Sequence, residues 1–555
     1  MSIHPHDMTL QVDLTGELGS GPTRTHQPHY VSLMPPCNHA CPAGENIQGW
    51  LAHAQAGHFQ KAWLTLVEDN PLPAICGRVC YHPCETGCNR AELDSAVSIH
   101  AVERFLGDLA AEQGWQVPVA VASGKRVLVV GAGPAGLSAA YHLRRLGHAV
   151  EIHEAGPLPG GMMHFGIPAY RLPRTDLMKE IRRIEGMGVS IVLNRKVDDL
   201  AAAKLAGNFD VVFVAIGAQI GRRIEIPAFD SHRVLTAVNL LHGSENGTPP
   251  KLGRRVAIYG AGNTAMDAAR TAMRQGAEET TIIFFSDRKH MQAEAFEAEE
   301  ALSEGIRIKW LSSIRQIGDG EIKVEIMALD AQGKPQPTGQ FETLQEDSVV
   351  LALGQQADSG FLDKLPGIDF NPDGTLVVTS DMMTGAPGIF AGGDVVPGGH
   401  TVTVAIGNGK KAAHHIDAWL QGKPPAEVPT APIVSFAMLS LPIYADAEPS
   451  LQIEAAVAAR VQDFSEIIAG LSQLDAVYEA KRCLSCGNCF ECDNCYAACP
   501  EDAIHKLGPG HGYRIDLQAC TGCAICVEQC PCHAMEMIPE PPRAALGSAT
   551  QKAVA

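Results

Sequence analysis

Eight cysteines are spaced as Cys489-x2-Cys492-x2-Cys495-x3-Cys499-Pro500 and Cys520-x2-Cys523-x2-Cys526-x3-Cys530-Pro531. Thiolates in such runs hold iron–sulfur cubanes: three cysteines of each run ligate one 4Fe–4S cluster, and the fourth crosses to the other. The spacing therefore assigns Cys489, Cys492, Cys495 and Cys530 to one cluster, and Cys499, Cys520, Cys523 and Cys526 to a second. Zinc is the alternative, but structural zinc sites bring two separated pairs to one tetrahedral ion, whereas four thiols here fall within eleven residues. A second set lies towards the other end, as Cys37-x3-Cys41-Pro42 and Cys76-x3-Cys80-x3-Cys84-x3-Cys88. No cysteine occurs between Cys88 and Cys483. A secreted protein stapled by disulfides rarely leaves its largest region bare. The seventeen cysteines read as two metal-binding ends around a cysteine-free core.

That core carries two glycine fingerprints. Gly131-Ala-Gly133-Pro-Ala-Gly136 lies between the apolar strand of KRVLVV and the helix LSAAYHLRRLG. In this pattern the first glycine permits the tight turn, the second lets backbone approach a pyrophosphate, and the third allows close helix–strand packing. The pyrophosphate then meets the helix N-terminus, whose unpaired N–H groups favour negative charge. Glu154 ends the next strand, 18 residues past Gly136, where a carboxylate can accept from ribose hydroxyls. The second fingerprint, Gly260-Ala-Gly262-Asn263-Thr264-Ala265, follows RRVAIYG and precedes MDAARTAMRQG; alanine at its last position is an accepted variant. After its partner strand TTIIFFSDR, Asp287 suits a ribose 2′-hydroxyl and hence NAD, while Ser286 and Arg288 suit a 2′-phosphate and hence NADP. Gly393-Asp394, in GIFAGGDVV, precedes a helix starting near Thr401, and a carboxylate there can fix ribityl hydroxyls.

The elements that must position these residues follow from the same texture. Strands alternating with helices from Lys125 onward predict parallel sheets covered on both faces, an α/β architecture. Residues 46–70 and 97–109 repeat apolar side chains at helical spacing, so the first cysteines sit in the connections of a helical domain. A helical stretch is expected from about Ile453 to Ala480, after a proline-rich connector. Hydrophobic residues are 46%, ordinary for a globular protein, and charged residues, at 19%, are slightly few. The formal net charge of −19 and the lack of a basic stripe argue against nucleic acid. No run approaches the roughly 18–20 apolar residues of a membrane helix, and the first residues lack a secretory pattern. The expected location is the cytoplasm.

GGMMHFGIPAYRLP, VFVAIGA ending at Ala218, GNTAMDAAR and AGGDVV, between about Pro36 and Leu420, resemble the glutamate synthase small-subunit family. That family includes the N-terminal half of dihydropyrimidine dehydrogenase and the large subunit of NADH-dependent ferredoxin:NADP oxidoreductases. The resemblance implies two nested Rossmann-like units of disulfide-reductase type, the first binding FAD and the inserted second binding NAD(H) or NADP(H). Carried over, FAD contacts fall at Gly131, Gly133, Gly136, Glu154, Gly161, Arg171, Gly393, Asp394 and Thr403. Where NADPH-using members have an Arg-Arg pair, this chain has Phe285-Ser286, which favours NADH. Hydride transfer needs stacked rings and exclusion of water, so no catalytic side chain is assigned.

In that family the N-terminal domain carries two clusters, fed by C-x2-C-x4-C-x3-C-P and a second cysteine group. The leading C-x2-C is missing here, yet EAKRCLSC, the phrase that normally carries it, stands at 479–486. The implied arrangement folds this pair back, giving one cluster on Cys37, Cys88, Cys483 and Cys486. The other falls on Cys41, Cys80 and Cys84, with Glu103 at the carboxylate or amide position of relatives. Cys76 and Cys532 are then spare, and the chain holds four clusters. The alternative leaves Cys483 and Cys486 as free or structural thiols and one cluster missing.

The expected division is an arm at 1–30, a helical iron–sulfur domain at 31–120, FAD-unit segments at 121–240 and 386–420 around a nicotinamide unit at 241–385, a connector and helix at 421–480, a ferredoxin-like domain at 481–540 and a tail at 541–555. CTGCAICVEQCPCHAMEM resembles the delta subunit of 2-oxoacid:ferredoxin oxidoreductases. The expected function is electron exchange between NAD(P)H and a one-electron partner in a hetero-oligomer, foremost a thiamine-diphosphate-dependent 2-oxoacid oxidoreductase or ferredoxin. The alternatives are the small subunit of a glutamate synthase and a nucleotide-binding redox scaffold or sensor.

Overall fold

A computed structural model describes residues 24–540, except 223, 225, 228–233, 364, 425–430 and 443. The strand Arg126–Val130 is buried from its second residue on, and it pairs in parallel with Ala149–His153 on one side and Val211–Val214 on the other. Side chains buried on both faces explain the unbroken valine and leucine run. Ser190–Val192 and Ile389–Ala391 complete this five-stranded sheet. Its last strand comes after a whole second sheet, in spatial order Arg307–Lys309, Glu279–Ile283, Arg255–Tyr259, Ser348–Leu351 and Val234–Thr236. The second unit is thus inserted into the first, as the family resemblance implied. Val234–Thr236 pairs with Ser348–Leu351, so the passage between sheets comes before residue 241. A three-stranded antiparallel sheet, Ser312–Ile317, Glu321–Leu329 and Pro335–Gln345, flanks the insertion.

The helices Ile47–Gln55, Phe59–Val67, Pro73–Val79 and Ile99–Gln113 form the expected helical domain. It shares one continuous apolar core with the first sheet, through Trp50, Trp63, Tyr141 and Phe213 among others. The stretch Ile453–Ala480 is not one helix. It contains only Val457–Arg460 and Gln473–Lys481. Either side of the first, Ala455 and Ala469 N–H groups bond to Ile467 and Ile453 carbonyls, a hairpin that competes with helix, and Ser472 caps the second helix through Asp475 N.

The C-terminal module has helices Asn494–Ala498 and Ile525–Glu528, a hairpin of Ile504–Lys506 with Tyr513–Ile515, and a last strand Met535–Pro539. That strand pairs antiparallel with His26–Tyr30, His26 opposite Pro539 and Tyr30 opposite Met535. Residues 26–30, expected in an arm, therefore complete a sheet at the opposite end of the chain. The pairing satisfies edge N–H and C=O groups that would otherwise be open. Residues 1–23 lie outside the described residues. No helix among the described residues is long and apolar enough to cross a membrane.

Candidate redox site

Both fingerprints open onto one cleft of about 680 Å³. Gly131 makes its turn at φ +107°, and a Cβ on Gly136 would stand 2.0 Å from the Gly131 carbonyl oxygen, so the helix Pro134–Arg145 can sit this close only with glycine there. Gly131, Gly133 and Gly161 line the cleft, with Gly393 and Asp394 joining from the last strand. The Glu154 carboxylate is aimed by two backbone donors, Ala132 N at 2.8 Å and Gly156 N at 2.7 Å. Across the cleft stand Gly262, Asn263 and Thr264, at the start of the helix Asn263–Arg274. Gly136, Gly260 and Ala265 lie behind the wall rather than on it. A flavin on the first unit and a nicotinamide on the second would share this one space, the juxtaposition hydride transfer needs.

Three expected contacts also have partners within the protein. Arg171 borders the cleft, but its guanidinium is held by Asp267, at 2.8 and 2.9 Å, and by a close pair with buried Glu297. Burial opposes that charge, yet Asp267 and Glu297 overcome it and raise Arg171 well above its usual range. Burial likewise pushes Glu297 up to about 7 despite Arg171. Arg171 therefore ties the flavin unit to the inserted unit. Thr403 is buried and donates its hydroxyl to Cys80 Sγ at 3.1 Å. Its neighbours Thr401 and Val402 border the cleft, so one helix start touches both the flavin space and a cysteine site. Arg288 is exposed and paired with Glu299 at 3.2 Å, away from the cleft. Asp287 is held by His290 Nδ1 at 2.5 Å, and that bond lowers its carboxyl.

Among the described residues all seventeen cysteines are free thiols, and they gather in groups. Cys37, Cys88, Cys483 and Cys486 line a single small cavity with Pro36, Leu51 and Ile99. Burial, with Cys486 and Cys88 close by, pushes the Cys483 thiol up to about 12, and burial pushes Cys486 up to about 11. A multivalent cation relieves such repulsion. Asn89 Nδ2 lies 3.4 Å from Cys486 Sγ, and Ser485 N 3.4 Å from Cys483 Sγ. The pair is delivered by a buried network: Arg482 donates to Ala96 O at 3.0 Å, Ser95 O at 2.7 Å and Asp94 at 3.1 Å, while Glu479 accepts from Ser98 N at 2.9 Å.

Cys41, Cys80 and Cys84 form the next group, with Glu103 buried beside them. Burial and the neighbouring Glu45 carboxylate raise Glu103 well above the usual range. Asn70 Nδ2 bridges the two carboxylates, at 2.8 Å to Glu103 and 3.0 Å to Glu45. Cys76, left spare by the sequence reading, is buried in the same surroundings near Glu103 and Cys80. Glu45, which the sequence reading did not single out, sits four residues past Cys41.

In the C-terminal module Cys499, Cys520, Cys523 and Cys526 line one cavity. Cys489, Cys492, Cys495 and Cys530 interact electrostatically as another set. A hydrogen bond with Cys532, at 3.8 Å between sulfurs, and one from Ala534 N at 3.2 Å lower the Cys530 thiol.

Two dinucleotide folds around one cleft, backed by grouped thiols, define a flavin- and nicotinamide-dependent oxidoreductase with iron–sulfur centres. The chain belongs to the pyridine nucleotide-disulphide oxidoreductase family, whose model matches residues 125–409, in the branch that includes glutamate synthase small chains. A model described as dihydropyrimidine dehydrogenase domain II, 4Fe-4S cluster, matches residues 31–115. The beta subunit of an NADP(+)-dependent formate dehydrogenase from Moorella thermoacetica is 34% identical over 503 residues, 81% of this chain and 70% of the relative. The beta subunit of an NADPH-Fe(3+) oxidoreductase from Geobacter sulfurreducens is 32% identical over 505 residues, covering 81% and 75%. The glutamate synthase [NADPH] small chain of Azospirillum brasilense is 32% identical over 433 residues, covering 72% and 88%. FAD, a nicotinamide dinucleotide and 4Fe–4S clusters follow from the two family models.

Proposed function

We propose that the chain is the electron-input subunit of a larger redox complex, taking electron pairs from a nicotinamide and delivering them singly through four 4Fe–4S clusters. FAD, when bound, supplies the conversion between a two-electron hydride and one-electron steps. The chain's own residues supply the path. The helix start at Thr401–Thr403 touches the cleft and Cys80. Cys41 and Cys84 of that group lie four residues from Cys37 and Cys88 of the next. Cys486 lies three residues from Cys489, and Cys495 and Cys526 lie four from Cys499 and Cys530. Successive sites thus share short tethers and follow one another in single file. The carrying observation is the one cavity lined by Cys37, Cys88, Cys483 and Cys486, which joins the two ends of the path.

The ligand sets proposed are Cys37, Cys88, Cys483 and Cys486; Cys41, Cys80, Cys84 and Glu103; Cys489, Cys492, Cys495 and Cys530; and Cys499, Cys520, Cys523 and Cys526. Phe285 and Ser286, offering no guanidinium, favour NADH, whereas the relatives above carry NADP in their names. For the partner, the ferredoxin-like phrase CTGCAICVEQCP supports a thiamine-diphosphate 2-oxoacid oxidoreductase. The formate dehydrogenase and Fe(3+) oxidoreductase relatives support a second reading, a partner of either kind.

Protein purified without oxygen tests the core of this reading. About 16 Fe per chain, four per cubane, with one FAD and bleaching by NADH or NADPH, is expected. About 12 Fe or fewer, or bound zinc, refutes the four-cluster path.

A further inference from the structure

We propose that residues 24–30 set the reduction potentials of the two ferredoxin-like clusters separately, Tyr30 acting on the one held by Cys495 and Arg24 on the one held by Cys520. The inference rests on the four-cluster reading and concerns residues that no comparison assigns.

The segment is built into the module rather than laid over it. His26–Tyr30 supplies the strand beside Met535–Pro539, and Val31 N continues the contact to Ala534 O at 3.0 Å. Pro28 borders the cavity of Cys499, Cys520, Cys523 and Cys526. The loop between Cys520 and Cys523 fits the segment so tightly that a Cβ on Gly522, which has φ +72°, would stand 2.5 Å from the His26 carbonyl oxygen.

Two side chains of the segment reach the two sites. The Tyr30 hydroxyl lies 3.4 Å from Cys495 Sγ, its ring stacked on Tyr513 at 6.4 Å between centroids. When Cys495 is a ligating thiolate, its sulfur accepts and the phenol donates. Arg24 is almost wholly buried, at 6% side-chain exposure. Its Nη1 donates to the Cys520 carbonyl at 2.9 Å and closely to the Leu517 carbonyl, while Glu540 holds the Nε edge. The positive end of this pair is therefore turned towards the cysteine loop. Each reduction adds one electron, so a donor on a ligand sulfur, or a buried positive charge beside the loop, favours the reduced cluster. Both devices raise a potential, each at its own site.

The test is an EPR-monitored redox titration of the anaerobically purified full chain, after iron and sulfide analysis. Tyr30→Phe, which keeps the ring packing, is expected to lower one midpoint potential and leave the others in place. Arg24→Gln is expected to lower a different one, and Arg24→Lys to recover part of that shift. Variants with full iron and unmoved potentials overturn the inference, as do variants that shift both clusters alike. Wild-type protein short of iron removes the four-cluster reading instead, so the two failures are distinguishable.

Discussion

Replacing Cys483 and Cys486 together by serine separates a ligand pair from a pair of bystanders. The two thiols line a cavity with Cys37 and Cys88 and sit beyond the Arg482–Asp94 and Glu479–Ser98 contacts, which neither substitution touches. Serine is close in size to cysteine, so the Gln473–Lys481 helix keeps its place against Ile47–Gln55 and Ile99–Gln113. On the four-cluster reading proposed above, one site loses half its ligands, and the expected iron falls from about 16 to about 12 per chain, one cubane's worth. FAD content and nicotinamide-driven bleaching of the flavin should stay at wild-type levels, because the cleft shares no residue with that cavity. Reduction of the clusters held by the C-terminal module should slow, since the file of sites is broken in its middle. The assay combines iron, sulfide and flavin analysis with stopped-flow reduction followed at flavin and cluster wavelengths. A variant retaining about 16 Fe and wild-type cluster reduction refutes the reasoning, because the pair then binds nothing the path needs.

Glu154→Gln removes the charged acceptor aimed by Ala132 N and Gly156 N; a charge-assisted hydrogen bond contributes about 1.5–3 kcal/mol, so FAD retention should weaken roughly ten- to a hundredfold, measured as flavin lost on dilution. Phe285→Arg with Ser286→Arg places guanidinium forks beside the second fingerprint, and the KM for NADPH should fall about tenfold relative to that for NADH in steady-state assays. Glu346, pushed up to about 7 by burial and only partly relieved by Arg307 and Arg255, binds its proton more tightly folded than unfolded. Its contribution is present below about pH 4.5 and is lost as pH rises towards 7, so Glu346→Gln should flatten that decline by on the order of 1 kcal/mol in denaturant titrations across the window.

The cysteine runs and both glycine fingerprints were legible because their chemistry demands fixed spacings within a dozen residues. The nesting of the two units was legible only through the family resemblance, because the returning strand Ile389–Ala391 carries no mark of the sheet it rejoins. What escaped depended on distant partners. HQPHY carries no hydrophobic alternation, and its strand exists because Met535–Pro539, some 500 residues away, has an open edge. Arg171 borders the cleft, and its pairing with Asp267 and Glu297 on the inserted unit was not legible from its own segment. The short tertiary hairpin around Ile467 overrode the helical propensity of IEAAVAARV.

The two ends of this chain complete one another: a strand from the beginning closes the last module, and a thiol pair from near the end enters the first. Synthesis at about 5–20 residues per second puts Cys483 roughly 20–80 seconds behind Cys88 at the ribosome exit. For that interval Cys37 and Cys88 stand without their partners. The cavity they share with Cys483 and Cys486 is therefore closed only after the inserted unit and the end of the first sheet have emerged.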